Sequence, residues 1–233
     1  MKFSFIITTK NEEKHIRNTC ISIRIQNPKI PKEIVLVDAC SNDATVEIAK
    51  PLVDKLIIKE SNISQGKNIG AKASQGEILV FVNADVILAK DWIDKVSAYF
   101  KDKSIGAVHG LILPMENSLR ARIFTMIWNL FILFSSKIKK VHTSGETTLA
   151  VRKELFFKIN GFREDLTAFE DIDFGLRLSR ITKIKLAKDC KTIASLRRFE
   201  KEGYLKWSII WILIGLYYFL RKKNFLEKYP IVR

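Results

Sequence analysis

Apolar residues in the first hundred positions come in short unbroken runs. FSFIITT (3–9), EIVLVD (33–38), KLIIK (55–59) and EILVFVNAD (77–85) lack polar alternation, as expected of strands covered on both faces. Between them, EEKHIRNTCISIRIQ (12–26), NDATVEIAKPLVD (42–54) and SQGKNIGAKAS (64–74) carry helical patterns. This alternation predicts an α/β fold built on a Rossmann-like, mostly parallel, doubly wound sheet. From about residue 104 the pattern changes. A strand is expected near GAVHGLIL (106–113), a helix from Ser118, a short strand near TTLAVR, a helix through EDIDFGLRLSR, and then a basic, aromatic C-terminal tail.

Several of these runs end in polar side chains: Thr8, Thr9 and Asn11 after the first, Asp38 after the second, Asn83 and Asp85 in the last. Open parallel sheets bind ligands beyond the carboxyl ends of their strands. Asp38 alone, followed by Ser41 and Asp43, reads equally well as a turn or cap residue; the convergence of strand ends favours a site. The first strand–helix turn, TTKNEEKH, has no glycines for a dinucleotide fingerprint, and SQGKNIG lacks the spacing of a P-loop. A phosphate ligand therefore needs another device. Asp85 offers one, because a hard Mg²⁺ or Mn²⁺ on one carboxylate can bridge protein and pyrophosphate.

Charge agrees with an anionic ligand. The 233 residues carry a net charge of +15, which calls for nucleic acid, anionic lipid or phosphorylated small molecules as partners. No nucleic-acid reading motif is present, so that partner ranks last. Cys20, Cys40 and Cys190 are odd in number and lack CxxC spacing, consistent with a reducing cytosol. The opening MKFSFIITTKNEEKH is too short in apolar residues for a signal peptide, and a cytoplasmic location is expected. IFTMIWNLFILF (123–134), between Arg120, Arg122 and Lys137, Lys139, Lys140, and WSIIWILIGLYYFL (207–220), followed by RKK, fall short of the ~20 residues of a spanning helix. They read as helices lying on the cytoplasmic face of a membrane, with ordinary core or an oligomer interface as the alternative.

Taken in order, the segments resemble the inverting family-2 glycosyltransferases of GT-A fold, which use nucleotide-sugar donors. SFIITTKNEE is similar to their opening strand and turn, EIVLVDACSNDAT to their nucleotide segment, and GKNIGAKASQGEILVFVNADVIL to the stretch ending in a D-x-D motif. FFKINGFRE (156–164) and FEDIDFGLRLSR resemble the G-G-F-x-E stretch and the E-D-x-D helix that carries the catalytic base, and SLRRFEKEG (195–203) matches a segment of a bacterial and archaeal subgroup. Two positions depart from the pattern: Ala39 stands where many relatives have a second acid, and Asn83 where they have the first acid of D-x-D.

The resemblance implies a nucleotide-sugar-binding half (1–104), an acceptor-side catalytic half (105–200) and a C-terminal membrane-proximal helix (201–233). It implies sugar transfer with inversion to a saccharide or lipid-linked acceptor, Asp85 on Mg²⁺ or Mn²⁺, and Thr8, Asn11, Asp38 and Asn83 around the donor. Asp171 is the expected base. Glu170, at capping-box spacing from Thr167, and Asp173, four residues before Arg177, have structural roles to play, whereas Asp171 has no evident local partner. Its alternative is a favourable interaction with the helix N-terminus. Arg197 and Arg198, and less directly Lys67, are phosphate candidates; a solvated basic face is their alternative. Gly161 and Gly145 read as turn glycines, the latter in a stretch that could touch a sugar. Ala39 and Asn83 also permit a degenerate member of the fold acting as a scaffold or sugar-nucleotide sensor.

Overall fold

The apolar runs become β1 (Phe3–Thr9), β2 (Lys32–Asp38), β3 (Lys55–Ile58) and β4 (Ile78–Asn83), paired in parallel in the order β3-β2-β1-β4. The computed structural model describes residues 1–138, 148–166, 168–221 and 223. Both faces of β1 are buried. Phe3, Phe5 and Ile7 pack with Ile16, Cys20 and Ile23 of α1 (Ile16–Arg24), while Ile6 packs with Ala71 of α3 (Ile63–Ala73) on the other side. Removing such a side chain from water is worth about 1.5–3 kcal/mol, so polar residues are confined to strand ends. The second connecting helix, α2 (Thr45–Ala49), is a short turn continued by a 3₁₀ segment at Lys50–Leu52.

Two glycines set how closely α3 approaches the sheet. A Cβ on Gly70 would lie 2.4 Å from Ile6 Cγ2, and one on Gly66 would lie 2.9 Å from Thr8 Cγ2. Asn62 starts the helix by accepting from Gln65 N at 2.8 Å, while the Gln65 side chain accepts from Asn62 N at 3.0 Å. Lys67, between the glycines, is thereby seated near the end of β1.

The rest of the chain completes a mixed eight-stranded sheet, β3-β2-β1-β4-β7-β6-β8-β5. Its further elements are β5 (Val86–Leu88), α4 (Trp92–Tyr99), β6 (Ile105–Pro114), α5 (Leu119–Ile138), β7 (Thr148–Arg152), α6 (Lys153–Lys158), α7 (Glu170–Leu178), β8 (Lys183–Ala194), α8 (Arg197–Glu202) and α9 (Tyr204–Arg221). β7 runs antiparallel to both β4 and β6, β5 antiparallel to β8, and β6 parallel to β8. The parallel character thus belongs to the first half, and the second is mixed.

Two expectations need correction. Residues 77–85 are not one strand: the chain leaves the sheet after Asn83, turns through Ala84 and Asp85, and re-enters as β5 at the far edge. β8 falls where only a basic tail was expected, because KIKLAKDCKTIA interleaves lysines with apolar residues and is buried only in part. Opposite it, a Cβ at Gly110 would lie 2.1 Å from Cys190 O, at the point where the β6–β8 register slips between His109 and Leu111.

α5 packs against β6 and β8, and α9 against α8. No helix among the described residues is long and apolar enough to cross a membrane. Both instead turn a wide apolar stripe to solvent: Leu119, Ile123, Met126, Ile127, Leu130, Phe131 and Phe134 on α5, and Leu205, Ile209, Ile212, Leu213, Leu216, Phe219 and Leu220 on α9. The spacing is helical, yet the apolar side faces outward, the reverse of an ordinary surface helix. The inner face of α9 packs on α7, where Ile214 and Tyr218 meet Leu166, Phe169 and Ile172.

Candidate active site

Strand register brings the polar ends together. Thr9 lies opposite Asp38, and Thr8 opposite Asn83. Above them opens a cleft of about 880 Å³ lined by Thr8, Lys67, Asn83, Asp85, Asp171, Arg197 and Arg198. Asp38 and Asn11 stand behind its wall. The buried Asp38 carboxylate accepts from Ser41 N at 2.7 Å and Ser41 Oγ at 2.5 Å. Asn11, with φ of 52°, accepts from Asn42 N at 2.7 Å and donates its own N–H to Ser41 Oγ at 2.7 Å. These two residues fold the loop after β2, the turn alternative for Asp38, and their neighbours Lys10, Val37 and Ala39 line the cleft.

Asp85 owes its surroundings to the β5–β8 pairing. Val86 lies opposite Ala194, and Ser195 N donates to Asp85 O at 3.2 Å. Two residues further, Arg197 brings Nη2 to 3.5 Å from Asp85 Oδ2. The same guanidinium grips Glu12 with both nitrogens, Nη1 to Oε2 at 2.8 Å and Nη2 to Oε1. Glu116 fixes the segment by accepting from Leu196 N at 2.8 Å and Ser195 Oγ at 2.9 Å. Glu12 lines the cleft and was not singled out from sequence; its place in the TTKNEEKH turn after β1 was the only signal. Burial pushes the Asp85 carboxyl up to about 6 against the opposing effect of Arg197.

Asp171 sits in the first turn of α7. Asn68 of α3 holds the preceding NGFRE turn, donating Nδ2–H to Phe162 O at 2.8 Å and Glu164 Oε1 at 2.9 Å and accepting from Phe162 N at 3.0 Å. Gly161 has φ of +62°, and a Cβ there would meet Asn68 Oδ1 at 2.6 Å, so the turn needs glycine. The chain enters the helix through Phe169 at φ 61°. The helix therefore begins at Glu170, which cannot be the third residue of a capping box; Thr167 lies outside the described residues, as do Gly145, Lys139 and Lys140. Glu170 Oε1 instead accepts from Lys67 Nζ at 2.8 Å, both groups buried. Asp173 does pair with Arg177, at 2.6 Å, and accepts from Tyr218 Oη at 2.8 Å.

Burial, reinforced by the Glu170 carboxylate, raises the affinity of Asp171 for a proton above that of an ordinary carboxylate, and Lys67 opposes them. A buried acid of raised basicity in a cleft is suited to taking a proton from a hydroxyl. Among the described residues no group of three or more His, Cys, Asp or Glu side chains is arranged to hold a metal. Asp85 with Asn83 nonetheless suits a partial shell for a hard cation, whose remaining oxygens would come from phosphate and water.

A parallel α/β half joined to a mixed half, with acids where strand ends and helix termini meet, defines a GT-A fold. A mannosyltransferase from Pyrobaculum calidifontis, PcManGT, solved with GDP-Man and Mn²⁺, superposes with a TM-score of 0.72 at 21% identity, over 88% of this chain and 59% of that one. Staphylococcus aureus TarS 1–349 with UDP-GlcNAc gives a TM-score of 0.66 at 22% identity, over 84% of this chain and 58% of that one. The chain belongs to glycosyl transferase family 2, whose family model matches residues 4–159. In sequence it is 27% identical over 192 residues to the S. aureus poly(ribitol-phosphate) beta-N-acetylglucosaminyltransferase TarS, covering 76% of this chain and 32% of TarS. The chain therefore spans about a third of that relative's length.

Proposed function

We propose that the chain transfers a sugar from a nucleotide-sugar donor to an acceptor with inversion at the anomeric carbon. One observation carries this: Asp85 and Asp171, from opposite halves of the chain, face one cleft, the first beside Arg197 and the second of raised basicity. Asp171 takes the proton of the acceptor hydroxyl as its oxygen bonds to the anomeric carbon. The bond from that carbon to the diphosphate breaks, and its electron pair leaves with the nucleoside diphosphate. Arg197 and Arg198 offer guanidinium groups to the leaving charge, and Lys67 neutralises Glu170 beside the base. Thr8 and Asn83 lie on the donor side; Asp38 and Asn11 act by shaping the loop that walls it. Mg²⁺ or Mn²⁺ at Asp85 and Asn83, when bound, supplies positive charge to the diphosphate.

The test is a donor screen on the full chain. One sugar nucleotide with Mg²⁺ or Mn²⁺ is expected to raise the melting temperature and to release nucleoside diphosphate on addition of acceptor. Tight donor binding without release under any acceptor would favour the scaffold or sensor role that Ala39 and Asn83 permit.

The outward apolar stripes, with exposed Arg120, Arg122, Lys206 and Arg221 beside them, support peripheral attachment to an anionic membrane surface. The chain is expected to float with phosphatidylglycerol-containing vesicles and to lose at least about tenfold in binding on Ile127→Glu with Leu213→Glu. Wild-type protein left at the bottom of the gradient would end that role.

A further inference from the structure

The chain reaches Asp171 through a strained residue. Phe169, two positions earlier, has φ 61° and ψ 16°, a left-handed conformation that a residue with a Cβ holds only where its surroundings enforce it. Its carbonyl accepts an opening bond of α7, from Asp173 N at 3.0 Å. The direction in which α7 starts, and with it the aim of the Asp171 carboxylate, therefore follows from this residue. The segments on either side are held by α3: Ser64 Oγ donates to Leu166 O at 3.1 Å before it, and Lys67 pairs with Glu170 after it.

The Phe169 ring itself is held by α9. Trp211, Gly215 and Tyr218 recur at i, i+4 and i+7 and so share one face of that helix. The Trp211 and Tyr218 rings lie 5.7 and 6.1 Å from the Phe169 ring, and a Cβ on Gly215 would stand 3.2 Å from Phe169 Cε1 and Cζ, tighter than ordinary van der Waals contact. Glycine lets the edge of the ring reach the helix. Tyr218 Oη adds a second fastening by donating to Asp173 Oδ1 at 2.8 Å, two residues past the base. A phenylalanine that only filled core would need neither a left-handed backbone nor a glycine opposite its ring.

Resting on the reading of Asp171 as the base, we propose that Phe169 is a positioning residue of the reaction and that α9 supplies its socket. With the ring seated against Trp211, Gly215 and Tyr218, the left-handed entry to α7 is fixed, and the Asp171 carboxylate is held where it faces the cleft.

Phe169→Ala and Phe169→Gly in the full chain test this. Both delete the ring, but glycine adopts the left-handed conformation freely whereas alanine keeps the strain. Alanine is expected to lower kcat at least about tenfold and glycine less, with KM for the donor within about threefold of wild type in both, since misplacing a reacting group costs rate rather than uniform binding. Gly215→Ala guards against misfolding: it strengthens α9 as a helix while crowding the socket, and should lower kcat by about threefold or more at unchanged donor KM. Amide hydrogen exchange gives a readout that needs no donor. The Asp173 amide, bonded to Phe169 O, should exchange at least about tenfold faster in Phe169→Ala than in wild type, while the Gly66 amide of α3, bonded to Asn62 O, keeps its rate. Wild-type kcat in Phe169→Ala and Gly215→Ala, in a protein that Asp171→Asn silences, overturns the positioning role and leaves the transferase standing; an Asp173 amide exchanging at the wild-type rate in Phe169→Ala overturns it too. Faster Asp173 exchange in a protein that turns over no donor supports the socket and removes the transferase.

Discussion

Asp171→Asn is expected to lower kcat by about 100- to 10,000-fold, the range supplied by a positioned general base, while donor affinity changes by less than about threefold. The amide keeps the shape of the carboxylate and cannot take a proton. With the donor on the Asp85 side of the cleft, as proposed, thermal shift with the sugar nucleotide should be preserved while product formation is lost; a variant turning over at the wild-type rate would remove Asp171 from the role. Acidity provides a second readout. A base works only when deprotonated, so kcat falls as pH drops through its pKa. Burial and Glu170 raise that pKa, which places the acid limb of the profile above the ordinary carboxylate range. Glu170→Gln removes one raising charge and leaves Lys67 beside the base, so the limb should move to lower pH. A limb unmoved by Glu170→Gln would assign the titration to another group.

Legibility in the sequence followed the physics of burial. β1, β2 and β4 are covered on both faces, so their runs read without interruption and their polar ends stood out. β8 was hidden because its exposed half is lysine-rich. The cost of missing it was the Glu12–Arg197–Asp85 arrangement: residues 12 and 197 meet only because β5 pairs with β8, a long-range register that no local pattern encodes. Arg197 was legible as a phosphate candidate by its chemistry, but its grip on Glu12 was not. Asp38 shows the opposite case, in which the local signal was present: Ser41, three residues on, marks a carboxylate committed to its own loop. At α7 the spacing of Thr167 and Glu170 suggested a cap, but the left-handed entry at Phe169 starts the helix later and turns Glu170 toward Lys67, a partner 103 residues away. The residues Glu170, Arg197 and Lys67 could each be named from sequence, but the pairings Lys67–Glu170 and Arg197–Glu12 could not.

The Lys67–Glu170 pair predicts the largest stability effect in the molecule. Both side chains are nearly inaccessible, 6% and 10% exposed, and their charged atoms stand 2.8 Å apart. Lys67→Met removes the cation and leaves a carboxylate buried beside the Asp171 carboxyl, which should cost about 3–5 kcal/mol. For a chain of this size that corresponds to a fall in melting temperature on the order of 6–20 °C. Replacing both partners, Lys67→Met with Glu170→Met, removes the unpaired charge as well and should recover most of the loss, because a buried ion pair is often no more stabilising than apolar side chains of similar volume. The two roles of the pair then separate. The double variant should melt near the wild type while the acid limb of its kcat profile shifts, since Asp171 has lost both a charge that raises its pKa and one that lowers it. Thermal denaturation of the single and double variants decides the matter: a single variant as stable as the wild type would mean that Glu170 finds water or another donor once Lys67 is gone, and that the floor of the cleft is wetter than its geometry requires.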